Sequence, residues 1–135
     1  MSKQTILEKA ASKVVLVIDD EYAIRVIVQT ALEMSAGWQV LLADTAAEGL
    51  QIANDEAPDA ILLDVMMPDT NGTDAIKALQ ANPRTEVIPV IFFTAKVRND
   101  EYKALERLGA AGIITKPFEP DVIAQNIKTL LNWSD

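Results

Sequence analysis

The sequence contains neither cysteine nor histidine. Without cysteine, disulfides and thiolate metal sites are excluded. Without histidine there is no Ser-His nucleophile pair, no histidine zinc ligand and no phosphohistidine made on this chain. Any phosphohistidine in its chemistry has to come from another protein. Basic residues are also scarce, 12 Lys and Arg against 20 Asp and Glu for a net charge of −8. That balance disfavours polyanions, so neither direct nucleic-acid binding nor attachment to an anionic membrane is expected. No apolar run approaches the roughly 20 residues of a membrane span. The first residues carry Glu8 and Lys9 among few apolar positions and are not patterned as a signal peptide. A cytoplasmic protein is expected.

What is present reads as one soluble globular domain. Half of the 135 residues are hydrophobic, enough for one buried core and too short a chain for two. The expected organisation is an N-terminal extension over residues 1–12, flexible and without a core of its own, followed by a single domain over 13–135. Three continuous apolar runs, Val14–Ile18, Ala60–Leu63 and Val90–Phe93, have the length and non-alternating pattern of strands buried on both faces of a parallel sheet. Weaker runs at Trp38–Leu42 and Gly112–Thr115 are expected at or near the sheet edges.

Helical spacing fills the intervals. Ile24, Ile27, Val28, Ala31 and Leu32 share a face, and Gly37 offers a stop. Ala46, Leu50 and Ala53 form a second face, with Thr45 or Asp44 as its cap. Ala75, Ile76 and Leu79 form a third, closed by Asn82-Pro83. A fourth helix is predicted from about Asp100 to Leu108, before Gly109. The last carries Ile123, Ile127, Leu130 and Leu131 on one face, with Pro120 in its first turn. Five βα units in this order predict an α/β fold, a doubly wound parallel sheet with helices on both faces.

Open parallel sheets bind ligands beyond the carboxyl ends of their strands. There the sequence places Asp19, Asp20 and Glu21 after the first run, Asp64 after the third, Thr94 after the fourth and Lys116 after the fifth. Each residue alone has an ordinary structural explanation, as a cap, a turn former or a solvated charge. Their convergence on one sheet edge does not. Three carboxylates brought together repel and raise one another's pKa unless a cation is present, and hard oxygen donors with room for phosphate oxygens suit Mg²⁺. A carboxylate in such a setting can act as a nucleophile toward phosphorus. The Lys116 ammonium and the Thr94 hydroxyl would then offset the phosphoryl charge.

In these residues the chain resembles the receiver domain of two-component response regulators, of the single-domain chemotaxis-regulator kind. The likeness rests on Val17-Ile18-Asp19-Asp20-Glu21, Leu63-Asp64-Val65-Met66-Met67-Pro68-Asp69, Asn71-Gly72, Phe93-Thr94-Ala95 and Thr115-Lys116-Pro117-Phe118. It implies a flavodoxin-like (βα)5 fold with strand order 2-1-3-4-5. It also implies that Asp64 is the phosphoacceptor. Asp19, Asp20, Asp64 and the backbone carbonyl of Met66 would hold Mg²⁺, with Asp20 the more direct ligand, and Thr94 and Lys116 would contact the phosphoryl group. The implied partners are a sensor histidine kinase or histidine phosphotransfer protein and a downstream protein target. Such a chain is a signalling switch that catalyses only its own phosphorylation and dephosphorylation, not an enzyme with a separate substrate. The Lys116-Pro117 bond is expected to be cis.

One position departs from the family pattern. Ile113 stands where receivers usually carry an aromatic residue on the fifth strand, so either it fills the core or activation proceeds without an aromatic switch. Met66 and Lys96 flank the expected route of attacking water, and a methionine cannot orient water as an amide or carboxylate does; slow loss of the phosphoryl group is expected. Trp38 and Trp133 read as packing residues. Rival readings are weaker. A phosphorylation-independent interaction module has no need for a repulsive acidic cluster. An aspartyl phosphohydrolase would want an acid where Met66 stands, and a flavodoxin-like electron carrier would want a Ser/Thr/Gly-rich loop after the first strand.

Overall fold

Each continuous apolar run forms a strand covered on both faces, because side chains alternate across the sheet and neither side is left to solvent. A computed structural model describes residues 12–95 and 98–134. In chain order the elements are β1 (Val14–Ile18), α1 (Tyr22–Ala36), β2 (Gln39–Ala43), α2 (Ala46–Glu56), β3 (Ala60–Leu63), α3 (Gly72–Ala81), β4 (Val90–Ala95), α4 (Asn99–Arg107), β5 (Gly112–Lys116) and α5 (Ile123–Leu131). All pairings are parallel and the strand order is β2-β1-β3-β4-β5, as expected. β2 and β5, the weaker runs, are the edges.

The two sheet faces have separate cores. Leu16, Ile18, Ile61, Leu63 and Phe92 pack against Ala53, Ile76, Leu79 and Leu105 of α2, α3 and α4. Val15, Val17, Leu62, Ile91 and Phe93 face Val28, Leu32, Ile123 and Ile127 of α1 and α5. Burying each of the larger side chains among these contributes about 1.5–3 kcal/mol. Trp38 and Trp133 meet edge-on at 5.2 Å at the margin of the second core, in the packing role expected of them.

The helix ends follow their local chemistry. Gly37 takes φ +69° and donates to Glu33 O at 3.0 Å, closing α1. Thr45 Oγ1 accepts from the Glu48 N–H at 3.1 Å, capping α2. α3 ends at Ala81, just before Asn82-Pro83. Two expectations are corrected. Ile27, grouped with the inward row of α1, is 42 % exposed, because the helix turns Val28, Ala31 and Leu32 toward the sheet. Pro120 lies ahead of α5, in a turn closed by the Val122 N–H on Glu119 O at 3.2 Å; proline's fixed φ suits the second position of such a turn. The N-terminal extension expected over 1–12 lies outside the described residues apart from Ser12, whose hydroxyl donates to Gly37 O at 3.0 Å. Among the described residues no helix is long and apolar enough to cross a membrane.

Candidate functional site

β1 and β3 are neighbours at the point where strand order reverses, and each is followed at once by an aspartate. The Asp19 N–H extends the ladder to Ala43 O at 3.1 Å, and the Asp64 N–H reaches Ile18 O at 3.0 Å. Backbone pairing therefore fixes both carboxylates side by side. Asp19 is wholly buried and Asp64 is 4 % exposed, while Asp20 is open to solvent. Carboxylate oxygens of Asp19, Asp20 and Asp64 lie within 4.8 Å of one another.

Lys116 arrives from β5. Its Nζ donates to Asp19 Oδ2 at 2.6 Å and lies 3.5 Å from Asp64 Oδ2 and 3.8 Å from Glu21 Oε1. It also sits 5.1 Å from the centre of the Phe93 ring. The Lys116-Pro117 peptide is cis, as the resemblance implied. Thr94 is buried at the end of β4, between β3 and β5, and pairs in register with Thr115. Met66 donates its N–H to Asp64 Oδ1 at 3.1 Å. Its side chain is 72 % exposed and borders a cleft shared with Asp20, Val65, Met67, Pro68 and Asn71. Ile113 is half-buried and packs against the core on the α2–α3–α4 side. Lys96 lies outside the described residues.

The electrostatics follow from this packing. Burial pushes the Asp64 carboxyl up; the Met66 N–H opposes it, the Asp19 charge adds to it, Lys116 again opposes, and the result is a pKa of about 6. Burial pushes the Lys116 ammonium down, but the hydrogen bond and charge of Asp19, then Asp64 and Glu21, outweigh it and its pKa is raised. Carboxylate repulsion, expected from the sequence, contributes through Asp19, and desolvation contributes more. Three carboxylates around one ammonium leave the cluster short of positive charge. A hard, all-oxygen donor set of this kind fits Mg²⁺.

Three further residues shape the site and carried no assigned role in the sequence. Asp69 accepts from the N–H groups of Ala46 at 3.1 Å and Ala47 at 3.4 Å, tying the loop after β3 to the start of α2. Its partners are 23 and 22 residues away, so no local pattern announces them. Arg25 Nη1 donates to Asp19 O at 2.8 Å. Gly72 gives its N–H to Val65 O at 2.8 Å, and a Cβ added there would stand 2.6 Å from Asp64 O and 2.7 Å from Val65 Cα. Since those neighbours are backbone, Gly72→Ala is expected to cost about 2 kcal/mol or more and to displace the Asp64 peptide. Urea titration would read the first effect; an unchanged midpoint would mean the loop yields freely.

Comparison with known proteins agrees with this fold. The profile of the response regulator receiver domain matches residues 15–128. The phosphate regulon transcriptional regulatory protein PhoB of Pseudomonas aeruginosa is 38 % identical over 119 residues, covering 88 % of this chain and 52 % of that protein. Protein PilH of the same organism is 32 % identical over 117 residues, covering 87 % of this chain and 96 % of PilH. The chain thus spans about half the length of PhoB and nearly all of PilH. The structure of the chemotaxis response regulator CheY4 of Vibrio cholerae superposes with a TM-score of 0.82 at 28 % identity, covering 88 % of this chain and 98 % of that one.

Proposed function

This chain belongs to the response regulator receiver family, and from that premise we propose that it takes a phosphoryl group onto Asp64 from a phosphohistidine of a sensor histidine kinase or histidine phosphotransfer protein. The observation that carries the reading is the gathering of Asp19, Asp20 and Asp64 within 4.8 Å, with Lys116 between Asp19 and Asp64. In the transfer a carboxylate oxygen of Asp64 forms the new P–O bond, the donor's P–N bond breaks, and the imidazole keeps the electron pair and takes up a proton. Lys116 is within a short swing of Asp64 and would follow the phosphoryl charge. The Thr94 hydroxyl, at the adjacent strand end, would donate to a phosphoryl oxygen.

Asp19, Asp20, Asp64 and the Met66 carbonyl would hold Mg²⁺, which when bound supplies charge neutralisation and orientation for phosphoryl transfer. The phosphoryl group adds about −1.5 to −2 charge, drawing Thr94 and its loop inward and changing the surface offered to a downstream protein. In this reading the functional unit is residues 13–135. It works in the cytoplasm as a switch, makes no direct contact with nucleic acid or membrane, and turns over no separate metabolite.

Intact-mass measurement after incubation with acetyl phosphate tests the proposal. A gain of about 80 Da that needs both Mg²⁺ and Asp64, and is lost in Asp64→Asn, is the expected result. The adduct should decay slowly, since the exposed Met66 side chain offers nothing to orient water. No adduct under any condition, including with a phosphohistidine donor, would leave a receiver fold used only as a binding module.

A further inference from the structure

We propose that Arg25 is a positioning residue: it holds the Asp19–Glu21 turn in place and thereby sets the affinity of the carboxylate cluster for a divalent cation. The inference rests on the reading of that cluster as a cation site. Asp19 is the first residue beyond β1, so the chain here passes from a rigid strand into a turn whose side chains have to be aimed. Glu21, the N-cap of α1, makes no side-chain capping hydrogen bond. The turn is held from within instead. Asp19 Oδ1 accepts the Glu21 N–H at 2.9 Å, and Arg25 Nη1 reaches back from the helix to the Asp19 carbonyl at 2.8 Å. The Arg25 N–H closes the first helical turn on Glu21 O at 3.1 Å, and its guanidinium lies 5.7 Å from the Tyr22 ring centre. One side chain therefore bridges the peptide that bears Asp19 and the helix that follows Asp20. Charge-assisted bonds of this kind are the stronger ones, and loss of a partner that orients a metal ligand typically costs about 10–100-fold in metal affinity.

The sign of the effect separates positioning from plain electrostatics. A guanidinium beside an anionic cluster repels a second cation, so by charge alone its removal should tighten Mg²⁺ binding. If it positions the turn, its removal should weaken binding. Arg25→Met keeps the aliphatic stem and loses the donors; Arg25→Lys keeps a donor group and the charge. Titration calorimetry with Mg²⁺ is expected to show the dissociation constant raised about tenfold in Arg25→Met and largely recovered in Arg25→Lys. Amide hydrogen exchange in EDTA provides a metal-independent reading: the Glu21 N–H should exchange faster in Arg25→Met, with the Leu62 N–H of the core unchanged. Equal or tighter Mg²⁺ binding by Arg25→Met would overturn the proposal, as would equal acceleration at Glu21 and Leu62, the mark of a merely structural residue. If the unsubstituted protein itself fails to bind Mg²⁺, the cation-site reading falls and Arg25 has no affinity to set, whereas selective acceleration at Glu21 would still show that Arg25 holds the turn.

Discussion

Replacing Lys116 with methionine is expected to destabilise the metal-free protein by about 3 kcal/mol, the lower end for breaking a buried ion pair, and to make Mg²⁺ a strong stabiliser. Asp19 is wholly buried, and its Oδ2 accepts a hydrogen bond from the Lys116 ammonium at 2.6 Å. Methionine has no ammonium, so the Asp19 carboxylate loses its salt bridge to Lys116 and Asp64 has less opposition to its burial. The Lys116 side chain is 14 % exposed, so water relieves part of the cost, hence the lower end. An added cation can replace the lost charge. At 100 times its dissociation constant a ligand specific to the folded state adds about 2.7 kcal/mol, so millimolar Mg²⁺ should restore most of the loss if it binds the folded variant at tens of micromolar. Urea titrations in EDTA and in Mg²⁺ would measure both effects. The double variant Asp19→Asn/Lys116→Met, which removes charge from both sides, should recover stability in EDTA; non-additivity between the two changes would measure their coupling. A single Lys116→Met variant as stable as the unsubstituted protein in EDTA would mean that Asp19 does not depend on this ammonium.

Much of the architecture was legible in the sequence because parallel strands buried on both faces leave an unmistakable trace, a short apolar run with a polar residue at its carboxyl end. Val14–Ile18, Ala60–Leu63 and Val90–Phe93 all appear as strands, and Asp19, Asp64 and Thr94 follow or end them as expected. Less legible were arrangements that depend on distance rather than order. The order of residues places Lys116 at the sheet edge, but its 2.6 Å hydrogen bond to the fully buried Asp19 carboxylate follows only from how β1 and β5 pack. Arg25 and Asp69 act on backbone groups, Arg25 on a carbonyl and Asp69 on helix N–H groups 22 and 23 residues away. Such contacts leave no periodic signature and follow only from the packed elements. The exposure of Ile27 has the same origin: helical spacing defines a stripe, but the width of that stripe covered by the sheet is a matter of packing.

Without divalent cations, the stability of this protein should fall as pH rises from about 4 to about 6, and Asp64→Asn should be free of that part of the fall. The Asp64 carboxyl has its pKa raised from 3.8 to about 6, first by burial and then by the charge of Asp19, against the Met66 N–H and Lys116. Between those two values the folded state binds the proton more tightly than the unfolded chain, so each step up in pH favours unfolding. Below about 4 the carboxyl is protonated in both states and the penalty vanishes; above about 6 the penalty is complete. At about 1.4 kcal/mol per pH unit the shift amounts to no more than about 3 kcal/mol, so Asp64→Asn should gain progressively on the unsubstituted protein across the window and hold that lead above it. The difference between the two proteins is the quantity to follow, since the other carboxylates titrate in both. Saturating Mg²⁺ should shrink it, because a cation among Asp19, Asp20 and Asp64 favours the ionised form. The same ionised carboxylate is the nucleophile the proposed transfer requires, so the strain that weakens the empty fold near neutral pH is what a cation would relieve in preparing the site. Parallel pH profiles for the two proteins in EDTA would show that Asp64 ionises at its ordinary value, and its ionisation would then carry no penalty for a cation to relieve.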